Sequence, residues 1–235
     1  MTNRKHRIEV EDGEEISAVH HKVDSHKWIF FCHGFGSNKK GSYEARAERA
    51  AKEGFNAVRF DFRGNGESDG SFKDQHLSDK IKDLKACIKH FQPEKVFLFG
   101  MSFGGKTIFH AAEDLDVEAL IGKSPVTYNS VMSKFREAVE ENGEFEVFDG
   151  KKIVKEFYTD LDTYDFSETL EGLEVPVAVF HGGADTTVHF ENSAEAAEEY
   201  SGDFMLYKLK GEKHSVSDKA EGKIQDMMFA WLENL

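Results

Sequence analysis

The chain of 235 residues has two cysteines and three prolines, carries 30 basic against 44 acidic side chains, and contains no long apolar run. Each shortage excludes something. Cys32 and Cys87 alone cannot build a disulfide framework or a thiolate metal centre, so a reducing, cytoplasmic setting is expected. With so little proline, and with no internal repeat or low-complexity tract, a linker has no obvious place, and the length suits one domain over 1–235 with a continuous core. No stretch approaches the about 18 consecutive apolar residues of a membrane span. Met1 to Arg7 has the positive start of an export signal, but Ile8 to Glu15 is acidic and alternating, so no export is expected. A formal net charge of -14 repels phosphate backbones and anionic headgroups, which argues against nucleic acid and membrane as partners.

What the chain does contain is a set of short runs rich in Val, Phe and Ile, each ending near Gly, His or Asp: Trp28–Cys32, Ala57–Phe62, Lys95–Phe99, Ala119–Ile121 and Val177–Phe180. Uninterrupted apolar runs of this length read as parallel strands buried on both faces. Between them, Leu77, Ile81, Leu84, Ile88 and Phe91 recur at spacings of 4, 3, 4 and 3, the stripe of a helix, and Cys87 beside it is expected in the core. Ile224, Met227, Met228, Trp231, Leu232 and Leu235 predict a closing amphipathic helix. Alternating strand and helix imply an α/β fold with ligands at the carboxyl ends of the strands. Arg7–Val10 and Ile16–Val23 around Asp12-Gly13 read instead as a hairpin on an antiparallel edge. Residues 126–172 break the alternation, are rich in charge and Phe, and show no clear strand, so an inserted cap is expected there.

Chemistry is concentrated at the ends of these runs. Gly100-Met101-Ser102-Phe103-Gly104-Gly105 lies between a strand and a helical stretch from Lys106 to Glu113, the setting of a nucleophile elbow. A chain turning that sharply crowds its own backbone, so the residues two before and two after the serine must be small. A serine hydroxyl needs a base to take its proton, and the base needs an acid to hold its tautomer. Asp185 follows the strand Val177–Phe180, and His214 follows the run Phe204–Leu209, both at the carboxyl end of the sheet. His6, His20, His21, His26, His76, His90, His110 and His189 lie in the hairpin, in helical segments or too near Asp185, and Glu191 is the second choice of acid. A tetrahedral intermediate also needs oxyanion donors, for which the backbone amides of Phe103 and Phe35 are suited, with His33 bracing the second loop. Asp61 to Gly70 has neither the GK[ST] ending of a phosphate loop nor a histidine to complete a metal site, and reads as a rigid turn bracing the cleft.

Three passages, His33 to Lys39, Phe60 to Gly70 and the elbow around Ser102, resemble the α/β-hydrolase superfamily, and within it the small esterases of the cinnamoyl or feruloyl esterase and acyl hydrolase type. The order Ser102, Asp185, His214 agrees with that family. The resemblance implies an eight-stranded, mostly parallel sheet with helices on both faces, a Ser-Asp-His triad, and no metal or organic cofactor. Met101 and Phe103 stand where many relatives carry His and Gln.

The expected activity is therefore cleavage of small uncharged esters through an acyl-enzyme. Tyr128, Phe135, Phe145, Phe148, Phe157 and Tyr158 of the cap suit an apolar or aromatic acyl group. A peptidase or acyltransferase with the same three residues is the alternative, and a binding module without turnover is the rival from another class. Serine at the elbow excludes the dehalogenase and epoxide-hydrolase chemistries of the same architecture, which need an acid there.

Overall fold

A computed structural model describes residues 2–11, 13–148 and 150–235. Met1 of the basic start, Asp12 of the expected turn and Asp149 lie outside the described residues. The strands are β1 (Thr2–Glu11), β2 (Glu14–Lys22), β3 (Lys27–Cys32), β4 (Asn56–Phe60), β5 (Lys95–Met101), β6 (Ala119–Lys123), β7 (Glu144–Phe148), β8 (Lys151–Val154), β9 (Val177–Gly182) and β10 (Phe204–Leu209). The helices are α1 (Ser42–Lys52), α2 (Leu77–Phe91), α3 (Phe103–Ala112), α4 (Arg136–Asn142), α5 (Lys155–Leu161), α6 (Phe166–Gly172), α7 (Phe190–Glu199) and α8 (Asp218–Leu232).

Eight strands form one sheet in the order β1-β2-β4-β3-β5-β6-β9-β10. The β1–β2 and β2–β4 pairs are antiparallel and all other neighbours are parallel, so the N-terminal hairpin is the antiparallel edge the sequence suggests. Successive side chains on a strand point to opposite faces. Accordingly Phe30, Cys32 and Leu98 join the core beneath α2 and α3, while Ile29, Phe31, Phe97 and Phe99 join the one beneath α1 and α8. Burial on both faces is why these runs carry no polar alternation. Leu77, Ile81, Leu84 and Cys87 of α2 are buried as the stripe requires.

The structure corrects several boundaries. β4 stops at Phe60 rather than Phe62, because the carboxylate of Asp61 accepts bonds from the amides of Lys39 and Glu67 and draws the chain into a turn. α3 begins at Phe103, three residues before the expected start, so Gly104 and Gly105 are helical residues and not a loop. α8 begins at Asp218, capped by Ser217, and ends at Leu232, which leaves Leu235 exposed. The expectation that 126–172 lacks strands is overturned: β7 and β8 pair antiparallel as a separate two-stranded sheet. The rest of that segment is a 3-10 turn at Asn129–Phe135 followed by α4, α5 and α6. Its attachment is polar as well as apolar. The Asp160 carboxylate accepts from the amides of Leu77 and Ser78 at the start of α2, and the buried Lys106 ammonium donates to the Thr127 carbonyl at 2.6 Å.

Burial makes stability depend on pH. His110 is buried, with Nδ1 on the Thr169 hydroxyl and Nε2 without a partner, and burial, followed by the nearby Lys106, pushes its imidazole down to about 2. Burial first lowers His6, His20, His21 and His33 as well. Below the ordinary value of 6.5, the unfolded chain binds protons that the folded chain refuses, so stability falls as pH drops through that value. Asp83, whose carboxyl burial raises, works in the opposite direction but stands alone against five histidines. Urea unfolding is expected to show lower stability at pH 5.5 than at pH 7. Replacing His110 by Leu removes part of that slope, on the order of 1 kcal/mol per pH unit. A variant with the wild-type slope would contradict this.

Candidate active site

Ser102 sits between β5 and α3 with φ 54° and ψ -121°, a conformation that side chains avoid and that costs about 1–3 kcal/mol. It is held there by its neighbours. The Ser102 amide donates to the Lys123 carbonyl at 3.1 Å, and its own carbonyl accepts from the amides of Gly105 and Val126, both at 2.9 Å. A Cβ on Gly100 would lie 2.3 Å from the Gly104 carbonyl oxygen, and one on Gly104 would lie 2.3 Å from that of Cys32. Strand, helix and the end of β3 therefore meet at a distance only glycine permits.

Asp185, after β9, and His214, after β10, are brought into contact. The His214 Nδ1–H donates to Asp185 Oδ2 at 2.7 Å, and Oδ1 accepts from the amides of Thr187 and Val188 at 2.8 and 3.0 Å. Burial alone raises the Asp185 carboxyl, but bonds from His181, His214 and Val188 outweigh it and hold the group far below the usual carboxylate range. A charged carboxylate fixes the proton on Nδ1 of His214 and leaves Nε2 as an acceptor. Ser102 and His214 line the same cavity, and among the described residues no hydrogen bond joins them. Glu191, the second choice of acid, is exposed in the first turn of α7 and does not touch His214. His181, which the sequence alone did not single out, is fully buried. Its Nε2–H donates to the Val188 carbonyl at 2.9 Å and lies 3.5 Å from Asp185 Oδ2, while Nδ1 meets the Ser193 hydroxyl at 2.7 Å. Its placement, at the end of a buried strand four residues before the acid, was the available signal.

The loop after β3 carries Phe35. His33 is buried and kept neutral, its ring donating from Nδ1 to the Gly34 carbonyl at 2.8 Å and accepting at Nε2 from the Phe62 amide at 3.1 Å. Ser37 donates to the same Gly34 carbonyl, so the peptide that bears the Phe35 amide is held from behind. Further along, Asp61 takes both the amide and the ammonium of Lys39, at 2.6 and 2.5 Å, with the ammonium also on Glu67. This is the bracing expected of the 61–70 turn. Among the described residues neither Phe35 nor Phe103 gives its amide to another backbone carbonyl, Phe103 because it opens α3. The β7–β8 hairpin docks on this loop: Lys151 Nζ donates to the Gly36 carbonyl at 2.5 Å, and the Phe148 ring lies over Gly36.

The cavity has a volume of about 440 Å³ and is walled by Phe35, Met101, Val126, Met132, Phe135 and Phe148, with Ser102 and His214 at its polar end. Of the six aromatic residues expected to shape it, only Phe135 and Phe148 line it. Phe157 and Tyr158 are buried in the core, Phe145 stacks on Phe135 at 5.0 Å, and Tyr128 packs edge-on against Phe166. Among the described residues no group of three or more His, Cys, Asp or Glu is placed to hold a metal ion, and no helix is long and apolar enough to cross a membrane.

The profile of a family described as serine aminopeptidase, S33, matches residues 24–142. The quorum-quenching protein AidA of Acinetobacter baumannii is 32% identical over 107 residues, 42% of this chain and 35% of that protein. The mitochondrial palmitoyl-protein thioesterase ABHD10 of Bos taurus is 25% identical over 209 residues, 82% of this chain and 68% of that protein. The chain thus spans about a third of the one relative and about two thirds of the other. In fold, a putative hydrolase from Agrobacterium vitis superposes with a TM-score of 0.86 at 21% identity, covering 98% of this chain and 99% of that one. Est1E of Butyrivibrio proteoclasticus, solved with ferulic acid, gives 0.84 at 22% identity, covering 97% and 99%. The eight-stranded sheet and its helices are those of an α/β-hydrolase.

The crowding at the elbow is directly testable. Gly104→Ala forces a methyl into the Cys32 carbonyl and is expected to destabilise the fold by about 3 kcal/mol in urea unfolding. A loss within 0.5 kcal/mol, the size of an ordinary surface change, would show that the contact can relax (about that magnitude for unconstrained sites).

Proposed function

The chain belongs to the serine aminopeptidase S33 family of α/β-hydrolases, and from that premise we propose that it hydrolyses small uncharged carboxylic esters with Ser102 as nucleophile, His214 as base and Asp185 as its orienting acid. The observation that carries this reading is the short bond between Asp185 and His214 at the rim of the cavity that Ser102 also lines. In the first half-reaction the Ser102 Oγ attacks the ester carbonyl and its proton passes to His214 Nε2. The tetrahedral oxyanion is received by the amides of Phe35 and Phe103. Collapse breaks the acyl–oxygen bond as His214 returns the proton to the departing alcohol. Water then takes the alcohol's place, gives a proton to the same nitrogen, and releases the acid. The ionised Asp185 stabilises the imidazolium in both halves and is not itself protonated.

Substrate class follows from the walls. Nine of the lining side chains are aliphatic, aromatic or thioether, which suits an apolar or aromatic acyl group, and we read the segment 126–172 as a cap that closes over it. An aminopeptidase has to receive the free ammonium of its substrate, and no Asp or Glu lines the cavity among the described residues. That favours the ester reading over the peptidase one.

A chromogenic ester panel and covalent labelling by a fluorophosphonate test the proposal together. Wild-type protein is expected to be labelled at Ser102 and to turn over short-chain esters. Ser102→Ala loses a thousandfold or more in turnover (about that scale for a triad nucleophile) with its unfolding curve unchanged. Equal turnover in the variant refutes the assignment of the nucleophile. Labelling with aminoacyl amides preferred over esters would replace the esterase with a peptidase.

A further inference from the structure

Three charged side chains from distant parts of the chain meet away from water, and none of them lines the cavity. Arg46 of α1 and Lys123 at the end of β6 are buried, and both turn to Glu221 in the first turn of α8. Arg46 donates from Nε and Nη2 to the two carboxylate oxygens at 2.6 and 2.8 Å, and Lys123 Nζ donates to Oε2 at 2.6 Å. Among the described residues neither cation bonds a second carboxylate, so two positive groups share one negative group. Burial alone raises the Glu221 carboxyl, but Arg46 and Lys123 outweigh it and bring the group down to about 2, so it is ionised.

Each member reaches the reaction site through further bonds. The Lys123 carbonyl accepts from the Ser102 amide at 3.1 Å. Arg46 lies over the Tyr43 ring at 4.9 Å and donates from Nη1 to the Ser42 hydroxyl at 3.1 Å. Ser42 and Tyr43 line the cavity, and the Tyr43 hydroxyl accepts at 3.3 Å from the amide of Gly34, the residue before Phe35. The Glu221 amide donates to the Ser217 carbonyl at 2.8 Å, and Ser217 closes the loop around His214 by bonding both carboxylate oxygens of Glu212. One carboxylate thereby joins the segments that carry Ser102, the Phe35 amide and His214.

Stability alone is a poor account of such a cluster. Desolvating buried charges offsets most of their attraction, and replacing them with apolar groups of similar volume is often neutral or stabilising. What a bidentate guanidinium contact does fix is geometry. Resting on the reading of Ser102 and His214 above, we infer that Glu221 is a positioning residue: with Arg46 and Lys123 it holds the nucleophile, its base and the oxyanion loop in one register without touching the substrate.

The test is a double-mutant cycle of Lys123→Met and Glu221→Gln, read both in p-nitrophenyl butyrate hydrolysis and in urea unfolding. Lys123→Met keeps much of the side-chain volume and leaves the Arg46–Glu221 pair in place, so its urea midpoint is expected to equal or exceed that of the wild type. Its kcat is expected to fall about tenfold with KM unchanged, the signature of lost transition-state geometry. Glu221→Gln leaves two buried cations without a counter-charge and is expected to lower midpoint and kcat together; Lys123→Met carries the test alone where that variant does not fold. In the double variant the loss in kcat is expected to be no greater than in Glu221→Gln, because both changes cut one unit. Wild-type kcat in Lys123→Met, or losses that multiply in the double variant, overturn the inference and leave the esterase reading standing. A lowered midpoint with kcat retained in both single variants assigns the cluster to stability and overturns it too. A wild type with neither ester turnover nor label at Ser102 removes the reading of the site, and the inference with it.

Discussion

Backbone crowding where β5 turns into α3 is the constraint on which the rest of the molecule depends. With Gly104 packed against the Cys32 carbonyl and Gly100 against Gly104, the helix starts in contact with the end of β3. One contact thereby sets two things. It holds Ser102 at its positive φ, and it brings the loop beginning at His33 alongside the start of α3. A looser turn would leave the same residues in the chain and no common focus for them.

Electrostatics then divides the labour within a strongly acidic molecule. The formal charge of -14 is kept out of the cavity, whose lining carries no carboxylate among the described residues, while Asp185 is buried and satisfied by His214 and two amides. Bonds to the charged form are what keep this buried acid ionised. His181 stands behind Asp185 at 3.5 Å, itself held by the Val188 carbonyl and the Ser193 hydroxyl.

The sheet was legible because strands buried on both faces must be uninterrupted apolar runs, and β3, β5 and β9 fall where those runs lie. The positions of Ser102, Asp185 and His214 at strand ends could be read from order alone, since the carboxyl end of a parallel sheet collects its loops. What could not be read depends on contacts distant in sequence or on short, weak patterns. β7, Glu-Phe-Glu-Val-Phe, alternates over only five residues, and its charged positions hid the strand in a segment already rich in acids. The burial of Phe157 and Tyr158, against the cavity position of Phe135 and Phe148, has no local signature, because all four lie in similar amphipathic surroundings. His181 escaped notice for a related reason: a buried strand-end histidine announces a hydrogen bond but not its recipient.

The grip of Lys151 on the Gly36 carbonyl, with Phe148 laid over the same residue, joins the roof of the cavity to the loop that bears the Phe35 amide. The hairpin and the loop are thus fastened to each other at two points, one polar and one aromatic, so that a change in either is felt by the other.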